Sequence, residues 1–374
     1  MGLTQKVIRK LGLGDAVCRL LAPIAADRGL LPSVEEARAL LHALSPDSGG
    51  SCLCEREVSS DGTDAYDLEI VLPVFNVEKH LPACLDSIFS QETALRFRVI
   101  AVDDGSTDRS GAILDACVDP RLLVVHQENR GFSGARNTGL RLLRAPWVLF
   151  LDSDDMLAEG ALSALAAAAR DSGAAMVQGA YTAVDTLGKP LFRRAPPSGS
   201  LNPRVDCSGY FWGKLFRSEL FSGLCLPDGY WYEDSMLAQV IYPRLEQDGR
   251  PVVGIGADTV LYRVNPQGIS QGGRGSPKSL DSLWITLSLY RDRQRLGLEN
   301  DRRYYEYLLN MLVLTWHRTE ALGDDVGRAV FVLSREFLLR EFAAFGTERP
   351  AYRMLEEAVR DGDYGRYRLF CSLH

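Results

Sequence analysis

The feature that most constrains the fold is the alternation of short apolar runs with helix-like stretches, which begins at Leu68. The runs LEIVLPVF, FRVIAVD, LLVVH and WVLFL are continuously apolar, which is typical of strands buried on both faces of a sheet. Strands that alternate with helices predict parallel βαβ units with right-handed crossovers. We therefore expect an α/β fold with a mostly parallel sheet flanked by helices.

The remaining patterns divide the chain into three parts. Helices are predicted from about Val77 to Ser90, after Asp108, through RNTGLRLL and after Ala158, and AAMVQGAYTAV predicts a further strand. Residues 45–67 are rich in Ser, Gly and Asp and indicate a linker, whereas the chain beyond about Pro277 carries broad apolar helical faces. We expect an N-terminal helical segment with a linker (1–66), an α/β domain (67–275) and a helical C-terminal extension (276–374).

The composition argues against several classes of protein. With 42 basic and 49 acidic residues the net charge is −7, so nucleic acid is not an expected partner, because no cationic surplus is present to displace counterions. Eight cysteines occur without a C-x-x-C pair, which predicts reduced thiols rather than a zinc site. No signal peptide is recognised, and no apolar run approaches the roughly 20 residues that span a bilayer. We expect a cytoplasmic protein.

The N-terminal segment has the pattern of an amphipathic helix. Val7, Leu11, Cys18 and Leu21 would form an apolar stripe beside several basic residues, although glycines weaken the helix. This pattern fits peripheral contact with the inner face of a membrane, and it also fits packing on the protein itself or on a partner. The helical C-terminal extension offers a surface for homo-oligomerisation.

Acidic residues follow two of the predicted strands, in VDDGSTD and in LDSDD. Ligands of open α/β sheets bind at the carboxyl ends of the strands, so both clusters are expected at one crevice. Asp152 and Asp154 are two residues apart and would lie on the same side of an extended segment. Mg²⁺ is typically held by one or two carboxylates and by substrate phosphates. The sequence therefore favours a metal site over a polar loop in which one Asp caps the next helix.

The motifs LPVFN, VDDGSTD, ENRGFSGARNTGL, FLDSDD and WYEDSM, in this order, resemble those of the family 2 inverting nucleotide-sugar glycosyltransferases. The resemblance covers roughly residues 68–272 and implies the GT-A fold. It also implies a nucleoside-diphosphate sugar as donor, UDP-sugar by default, and a divalent metal ion, Mg²⁺ or Mn²⁺. The implied acceptor is a hydroxyl group of a glycan or a lipid-linked acceptor, in the synthesis of a surface polysaccharide.

The resemblance assigns donor-side roles to residues of the first three motifs. Pro73 and Phe75 would line the nucleoside pocket. Asp104 would accept a hydrogen bond from the base, and Asp103 would support the same loop or merely form its turn. Arg136 would lie near the donor, unless it is an ordinary residue of a helix surface.

The last two motifs would carry the metal and the chemistry. Asp152 and Asp154 match the metal-binding pair, with Asp152 also facing the donor sugar or ribose and Asp155 capping or bracing the loop. Asp234 would be the general base that deprotonates the acceptor, and Glu233 would orient it. Acids in the first turn of a helix are also common without a catalytic role. Lys214 and Arg263 are candidate phosphate contacts or ordinary structural cations.

Two other functions compete with this interpretation. FLDSDDML resembles the first motif of haloacid-dehalogenase-type phosphatases, in which Asp152 would be a nucleophile, but that motif normally opens its domain. A non-catalytic relative that binds a nucleotide sugar or glycan as a scaffold is the second alternative. The presence of both Asp154 and Asp234 argues against the scaffold.

Overall fold

The computed structural model describes residues 14–25, 30–56, 65–265, 273 and 275–374. They form two compact units: a sheet unit, with the described residues of 49–267 and 288–298, and a helical unit, with those of 1–48, 268–287 and 299–374. The N-terminal and C-terminal helices, which the sequence analysis placed in separate parts, therefore belong to one unit.

The sheet unit contains one large sheet. Among the described residues its strands are β1 (Leu68–Val74), β2 (Phe97–Asp103), β3 (Leu122–His126), β4 (Trp147–Phe150), β5 (Met156–Leu157), β6 (Met176–Val184), β7 (Pro190–Arg194), β8 (Gly199–Ser200), β9 (Lys214–Arg217) and β10 (Val252–Arg263). Their order is β3-β2-β1-β4-β9-β6-β10-β5, with β7 beside β6 and β8 beside β10.

The first four strands form the parallel arrangement that the sequence predicts. β1 pairs in parallel with β2 and β4, and β2 pairs in parallel with β3. The other half of the sheet is mixed, because β9 is inserted antiparallel between β4 and β6, while β6 and β10 are parallel. The expected βαβ order therefore describes the chain up to Phe150, and longer-range pairing decides the rest.

The described helices are α1 (Gly14–Ala25), α2 (Val34–Leu44), α3 (Leu81–Phe89), α4 (Ser110–Ala116), α5 (Gly131–Leu142), α6 (Ala161–Ser172), α7 (Pro203–Asp206), α8 (Tyr242–Gln247), α9 (Asp281–Arg295), α10 (Arg302–Thr319), α11 (Asp324–Phe342), α12 (Arg353–Asp361) and α13 (Tyr364–Leu373). Helix α3 begins later than the expected Val77. Pro82 explains the shift, because proline lacks an N–H group and is accommodated in the first turn of a helix.

Helices pack on the sheet through small contacts as well as large apolar ones. Leu72 of β1 belongs to a buried cluster with Leu81 and Leu85 of α3. Helix α5 approaches β1 so closely that a Cβ atom on Gly139 would lie 2.5 Å from Cγ1 of Val71. Glycine at this position is therefore required by the packing of α5, the helix that carries the S-G-A-R-N motif.

The helical unit joins the two ends of the chain. Helix α2 begins with a capping box, in which Ser33 and Glu36 exchange hydrogen bonds of 2.8 and 3.2 Å, and it packs on α11. Helix α1 packs on α13, and Cys18 is buried. Val7 and Leu11 of the expected apolar stripe lie outside the described residues, and Leu21 is exposed. Membrane contact and oligomerisation stay predictions.

The described helices include none that combines the length and the apolar character needed to traverse a lipid bilayer.

Part of the expected linker is built into the sheet unit. The backbone N–H of Cys52 donates to Oδ2 of Asp292 at 2.7 Å, and Leu53 forms an antiparallel bridge with Leu224. Residues 57–64 of the same segment lie outside the described residues. A composition rich in Ser and Gly therefore did not predict that Cys52 is buried in the sheet unit.

Candidate active site

The acidic clusters meet at the carboxyl ends of β1, β2 and β4, as the sequence predicts. Val74 at the end of β1 lies opposite Asp103 at the end of β2, and β4 lies on the other side of β1. Pro73 is half-buried at this edge, and Phe75 is 46% exposed directly after β1. An exposed aromatic side chain beside two acidic loops gives the crevice a surface on which a flat ring can stack.

Asp104 fixes the loop that follows β2. Its backbone N–H donates to the carbonyl of Val74 at 2.9 Å. Its Oδ1 accepts hydrogen bonds from Nε2 of Gln127 at 2.6 Å and from the backbone N–H of Arg130 at 2.8 Å. The side chain is therefore held firmly between the ends of β1 and β3 and the start of α5.

Asp103 supports the same loop. Its Oδ1 accepts from the backbone N–H of Ser106 at 3.1 Å, and its Oδ2 lies 2.8 Å from Nδ1 of His126. Burial raises the pKa of Asp103, but the hydrogen bonds from Ser106 and His126 outweigh burial, and the pKa lies below its ordinary value. Asp103 is therefore ionised at neutral pH and bound within the protein.

Arg136 connects the loop that follows β4 with the turn that contains Glu233. Its side chain is buried, with Nη2 2.5 Å from Oδ1 of Asp152 and Nη1 paired with Oε1 of Glu233. Burial lowers the pKa of Arg136, but Asp152 and Glu233 raise it above its ordinary value, so the guanidinium stays charged. The planar fork of an arginine suits this double contact, which a lysine could not reproduce. Arg136 is thus not a helix-surface residue.

The loop after β4, which we call the β4 loop (residues 151–155), is braced by Arg263. Oδ1 of Asp155 accepts from the backbone N–H of Arg263 at 2.7 Å, and Nε of Arg263 donates to the carbonyl of Asp154 at 3.0 Å. The side chain of Arg263 is buried and also donates to the carbonyl of Thr186. These bonds favour the structural role of Arg263 that the sequence analysis left open beside a phosphate contact.

The carboxylates of the β4 loop are crowded. Burial and the negative charge of Asp152 raise the pKa of Asp154 to about 6. Burial and the charges of Asp154 and Asp152 raise the pKa of Asp155 well above its ordinary value. Oδ2 of Asp155 is buried and accepts no hydrogen bond from the part of the chain that the structure describes. The loop concentrates negative charge that a cation would neutralise.

The donor set fits a divalent metal that is held by two carboxylates and a ligand. Asp152 and Asp154 supply hard oxygen atoms next to one another, as Mg²⁺ and Mn²⁺ prefer. Residues 14–25, 30–56, 65–265, 273 and 275–374 contain no group of three or more His, Cys, Asp or Glu side chains arranged to hold a metal ion. Further ligands would therefore come from phosphate oxygens and water.

Glu233 and Asp234 lie in a turn, which we call the base loop (residues 228–234). The sequence predicted them in the first turn of an amphipathic helix, but a π-helical segment, Leu237–Ile241, precedes α8. Pro243 explains the departure, because it has no N–H group and would clash with the carbonyl of residue 239 in a regular helix. The N–H of Tyr242 donates instead to the carbonyl of Leu237.

The base loop reaches its position by an unusual backbone conformation. Tyr232 has a φ of 66°, which few residues other than glycine adopt, and which costs on the order of 1–3 kcal/mol. Asn137 of α5 pins the start of the loop, because its Nδ2 donates to the carbonyl of Leu226 at 2.8 Å and to Oδ1 of Asp228 at 2.9 Å. The S-G-A-R-N motif therefore orders the base loop through both Arg136 and Asn137.

Glu233 and Asp234 of the base loop are also shifted in pKa. Burial and the charge of Asp234 raise the pKa of Glu233 to about 8, against the influence of Arg136. Burial raises the pKa of Asp234 to about 6, and Arg136 counteracts it. Asp234 is half-buried, and its Oδ1 accepts no hydrogen bond from any described residue. A carboxylate with a pKa near neutrality and an unused oxygen is suited to accept a proton.

Lys214, which the sequence analysis considered as a phosphate contact, is buried. Its Nζ donates to Oγ of Ser208 at 2.7 Å and to the carbonyl of Tyr210. These bonds favour the structural role that the sequence analysis left open beside a phosphate contact. The sequence KLFR does not predict that Lys214 is buried, because its burial results from the insertion of β9 between β4 and β6.

Part of the sheet unit is similar to a known protein family. Residues 69–215 match the model of the family described as Glycosyl transferase family 2. Within these residues the chain is similar to glycosyl transferase family 2. The motifs that carry the candidate site up to the β4 loop lie within the matched residues, and Asp234 lies beyond them.

Curated relatives and a solved structure agree with the family. The chain is 30% identical over 223 residues to glycosyltransferase GlyA of Streptococcus pneumoniae, which covers 54% of this chain and 31% of GlyA. It is 37% identical over 231 residues to EpsJ of Bacillus subtilis, an uncharacterized glycosyltransferase, covering 54% of this chain and 63% of EpsJ. The chain therefore spans less than two thirds of either relative.

The solved structure is that of residues 1–349 of TarS from S. aureus, in complex with UDP-GlcNAc. It aligns with a TM-score of 0.53 and 19% identity, and covers 81% of this chain and 89% of TarS 1–349. At this level of identity the likeness shows the fold alone. It confirms the GT-A fold that the sequence motifs implied.

Proposed function

We propose that this protein is a metal-dependent inverting glycosyltransferase. It moves a sugar from a nucleoside-diphosphate donor, UDP-sugar by default, to a hydroxyl group of a glycan or a lipid-linked acceptor in the synthesis of a surface polysaccharide. The single observation that carries the proposal is that the guanidinium of Arg136 forms ion pairs with both Asp152 of the β4 loop and Glu233 of the base loop. Donor-side and acceptor-side carboxylates thereby share one site.

The donor would be held by residues of the first two strand ends. Phe75 and Pro73 offer an apolar surface to the nucleoside, and Asp104 lies beside them with its loop fixed by Gln127 and Arg130. In our proposal Asp104 accepts a hydrogen bond from the base and Asp103 keeps the loop in place. The binding of UDP-GlcNAc by TarS, which has the same fold, supports a nucleotide-sugar donor here.

Asp152 and Asp154 would hold the divalent metal ion. The ion supplies Lewis-acid stabilisation of the charge that grows on the departing diphosphate. Arg136 orients Asp152 through its ion pair, and Arg263 holds the backbone of Asp154 in place. The raised pKa of Asp154, caused by burial and by Asp152, is consistent with a loop built to be completed by a cation.

Asp234 would act as the general base. Its carboxylate takes the proton of the acceptor hydroxyl as the oxygen attacks the anomeric carbon, and the donor's glycosidic bond to the diphosphate breaks. A single displacement through an oxocarbenium-like transition state inverts the anomeric configuration. Glu233, fixed by Arg136, would orient the base loop during this step.

The test is a panel of nucleotide sugars, UDP-glucose, UDP-galactose, UDP-GlcNAc and GDP-mannose, with p-nitrophenyl glycosides as acceptors and Mg²⁺ or Mn²⁺. We expect release of nucleoside diphosphate that requires both the metal and an acceptor. Release of inorganic phosphate from a phosphorylated Asp152 would instead support the phosphatase. Binding of a donor without release from any acceptor would support the scaffold and contradict the proposal.

A further inference from the structure

A cavity of about 250 Å³ opens in the sheet unit between three parts of the chain: strand β6, the segment that joins β7 to β8, and the loop that precedes β9. Among the described residues that line this cavity, none belongs to the donor, metal or base groups proposed above. The cavity is therefore available to a part of the substrates that those groups do not bind.

The cavity lies at the same edge of the sheet as the acidic loops. Trp212, which forms part of its wall, makes a parallel bridge with Phe150, the last residue before the β4 loop. Gln178, another wall residue, pairs with Lys214 at the start of β9, and β9 starts at this edge because it runs antiparallel to β4. The cavity is thus beside the β4 loop, on the side of β4 that faces away from β1 and β2.

Aromatic rings form one wall of the cavity. Tyr181 and Trp212 line it, with their ring centroids 4.9 Å apart and their planes at 86°. Tyr210 and Tyr262 both stack on Trp212, at centroid distances of 4.7 and 5.2 Å. These contacts hold the ring of Trp212 in place, so the apolar wall is formed before a ligand binds.

Gln178 brings an unused hydrogen-bond donor to the cavity. The residue is only 5% exposed, and its Oε1 accepts from the backbone N–H of Ser208 at 2.9 Å and from the hydroxyl group of Ser208 at 3.3 Å. The backbone N–H can only donate, so these bonds identify the oxygen end of the amide. Nε2 is the other end, and it donates to no residue in the part of the chain that the structure describes. A ligand oxygen in the cavity would accept from it.

Two side chains of opposite charge complete the lining. Asp206 of α7 accepts from the backbone N–H of Asn202 at 2.8 Å through Oδ2, which leaves Oδ1 for a ligand. The guanidinium of Arg194 in β7 lies 5.8 Å from the centroid of the Phe192 ring. Neither Asp206 nor Arg194 forms an ion pair with another described residue. A carboxylate accepts and a guanidinium donates, so together they suit hydroxyl groups, which do both.

Lys214 holds the loop that contributes Ser208 and Trp212 to the cavity. Its buried ammonium donates to Oγ of Ser208 at 2.7 Å and to the carbonyl of Tyr210. The hydroxyl group of Tyr242 donates to the carbonyl of Ser208. These bonds preorganise the wall of the cavity, which reduces the cost of ordering it when a ligand binds.

We infer that this cavity binds a sugar ring of the acceptor glycan. A sugar ring has an apolar C–H face, which suits the aromatic wall, and hydroxyl groups around its rim, which suit the amide, carboxylate and guanidinium. The inference deepens the proposed function and rests on it. The donor is placed at the ends of β1 and β2, on the other side of β4, so the sugar in the cavity belongs to the acceptor.

Binding of free disaccharides to the 374-residue protein tests the inference without turnover. Saturation-transfer NMR with cellobiose, lactose, maltose and chitobiose, each with and without UDP and Mn²⁺, measures which sugars bind and how tightly. We expect at least one of them to bind, and Gln178→Glu to weaken its binding by about 3–10-fold, as loss of one hydrogen bond does. Gln178→Glu keeps an oxygen that accepts from Ser208 and changes the free end of the side chain. No binding of any of the four sugars would overturn the inference.

Arg194→Ala removes a second group of the cavity from an exposed position, so it serves as the test if Gln178→Glu does not fold. Binding of the same disaccharide should again be weakened by about 3–10-fold. Arg193→Ala is the matched control, because Arg193 is the preceding residue of β7, is paired with Asp258 and does not line the cavity. Equal losses in Arg193→Ala and Arg194→Ala, or no loss in Arg194→Ala, would contradict the inference.

Turnover separates this inference from the proposed function. With a p-nitrophenyl disaccharide as acceptor, we expect Gln178→Glu to raise the KM for the acceptor by the factor by which it weakens binding, with kcat and the KM for the donor near wild type. An active enzyme whose acceptor KM is unmoved in Gln178→Glu and in Arg194→Ala would refute only the role of the cavity. Absence of turnover with every donor, together with sugar binding that depends on Gln178, would refute the proposed function and leave a glycan-binding cavity.

Discussion

The β4 loop and the base loop each place neighbouring acids at the site, yet they differ in how their charge is balanced. In the β4 loop, Asp155 is exposed to the negative charges of Asp154 and Asp152. Arg263 donates its backbone N–H to the carboxylate of Asp155, but its side chain donates to the backbone carbonyl of Asp154 and not to a carboxylate. Glu233 is paired directly with Arg136, and the charge of Arg136 also counteracts the rise that burial causes in the pKa of Asp234. In the β4 loop Asp152 is paired with Arg136, but Asp154 and Asp155 form no ion pair with the described residues, so this loop is shorter of positive charge than the base loop.

The difference indicates what each loop is built to do. A loop with more carboxylates than cations gains most from a metal ion, which is what the β4 loop would hold. A base has to be ionised before the reaction and free to take one proton, so fixed cations near it are an advantage. Arg136 contacts both loops and sets their distance from each other.

The largest effect is expected from removing the base. Asp234→Asn keeps the shape of the side chain but cannot accept a proton, and loss of a general base typically costs about 10²–10⁴-fold in rate. We expect kcat for nucleoside-diphosphate release to fall by this factor, with donor binding unchanged. Asp248→Asn, an exposed position after α8, is the control and should behave as wild type. Full turnover in Asp234→Asn would show that the base loop has another role.

Arg136→Met is expected to have the largest effect on stability. The substitution leaves Glu233 buried without its partner, and breaking one side of a buried ion pair costs about 3–5 kcal/mol. Chemical denaturation measures the loss. Arg170→Met removes an exposed ion pair with Asp171 and should cost no more than about 1 kcal/mol. A similar small loss in Arg136→Met would mean that the two loops do not depend on the shared guanidinium.

A smaller effect is expected from removing a metal ligand of the β4 loop. Asp154→Asn should weaken the Mn²⁺-dependent binding of UDP by about 10–100-fold, since loss of even an outer partner of a metal ligand has effects of this size. Calorimetric titration with UDP, in the presence of Mn²⁺ or EDTA, measures the difference. Asp171→Asn on the exposed end of α6 is the control. Binding that is insensitive to EDTA in the wild type would contradict the metal assignment.

Much of the parallel half of the fold was predictable from local sequence. FRVIAVD was expected as a strand, and the strand is Phe97–Asp103, because a run of apolar residues buried on both faces needs no distant information. The meeting of the acidic loops followed from parallel strands that end at one edge. The S-G-A-R-N motif pointed to Arg136, although the sequence did not reveal that this side chain is buried between two carboxylates.

The other half depended on pairing that local patterns do not record. Lys214 is buried because β9 lies between β4 and β6, strands that are distant in the chain. Arg263 braces the β4 loop from the end of β10, more than a hundred positions away in sequence. The π-helical segment before α8 had one visible signal, Pro243, which predicts an interruption in a helix but does not specify its form.

The smallest effect is expected at Asp155, whose carboxylate accepts a hydrogen bond from the buried backbone N–H of Arg263. Asp155→Asn keeps an oxygen that accepts this bond, so the free energy of unfolding should stay within about 1 kcal/mol of wild type at neutral pH. Asp155→Ala removes the acceptor, and an unpaired buried amide costs about 1–3 kcal/mol. Chemical denaturation of both variants measures the difference between them.

The pH dependence of these stabilities separates the charge of Asp155 from its hydrogen bond. Burial raises the pKa of Asp155 in the folded protein well above its ordinary value. At pH values between the ordinary pKa and the raised one, the folded protein therefore binds a proton that the unfolded chain has lost. The stability from this group is complete at low pH and is lost as the pH rises through the folded-state pKa. Asp155→Asn does not titrate, and it should therefore lose less stability than wild type as the pH rises from the ordinary pKa of an aspartate through the raised folded-state pKa of Asp155. An equal loss in both proteins would mean that the β4 loop is not short of positive charge, and its contrast with the base loop would disappear.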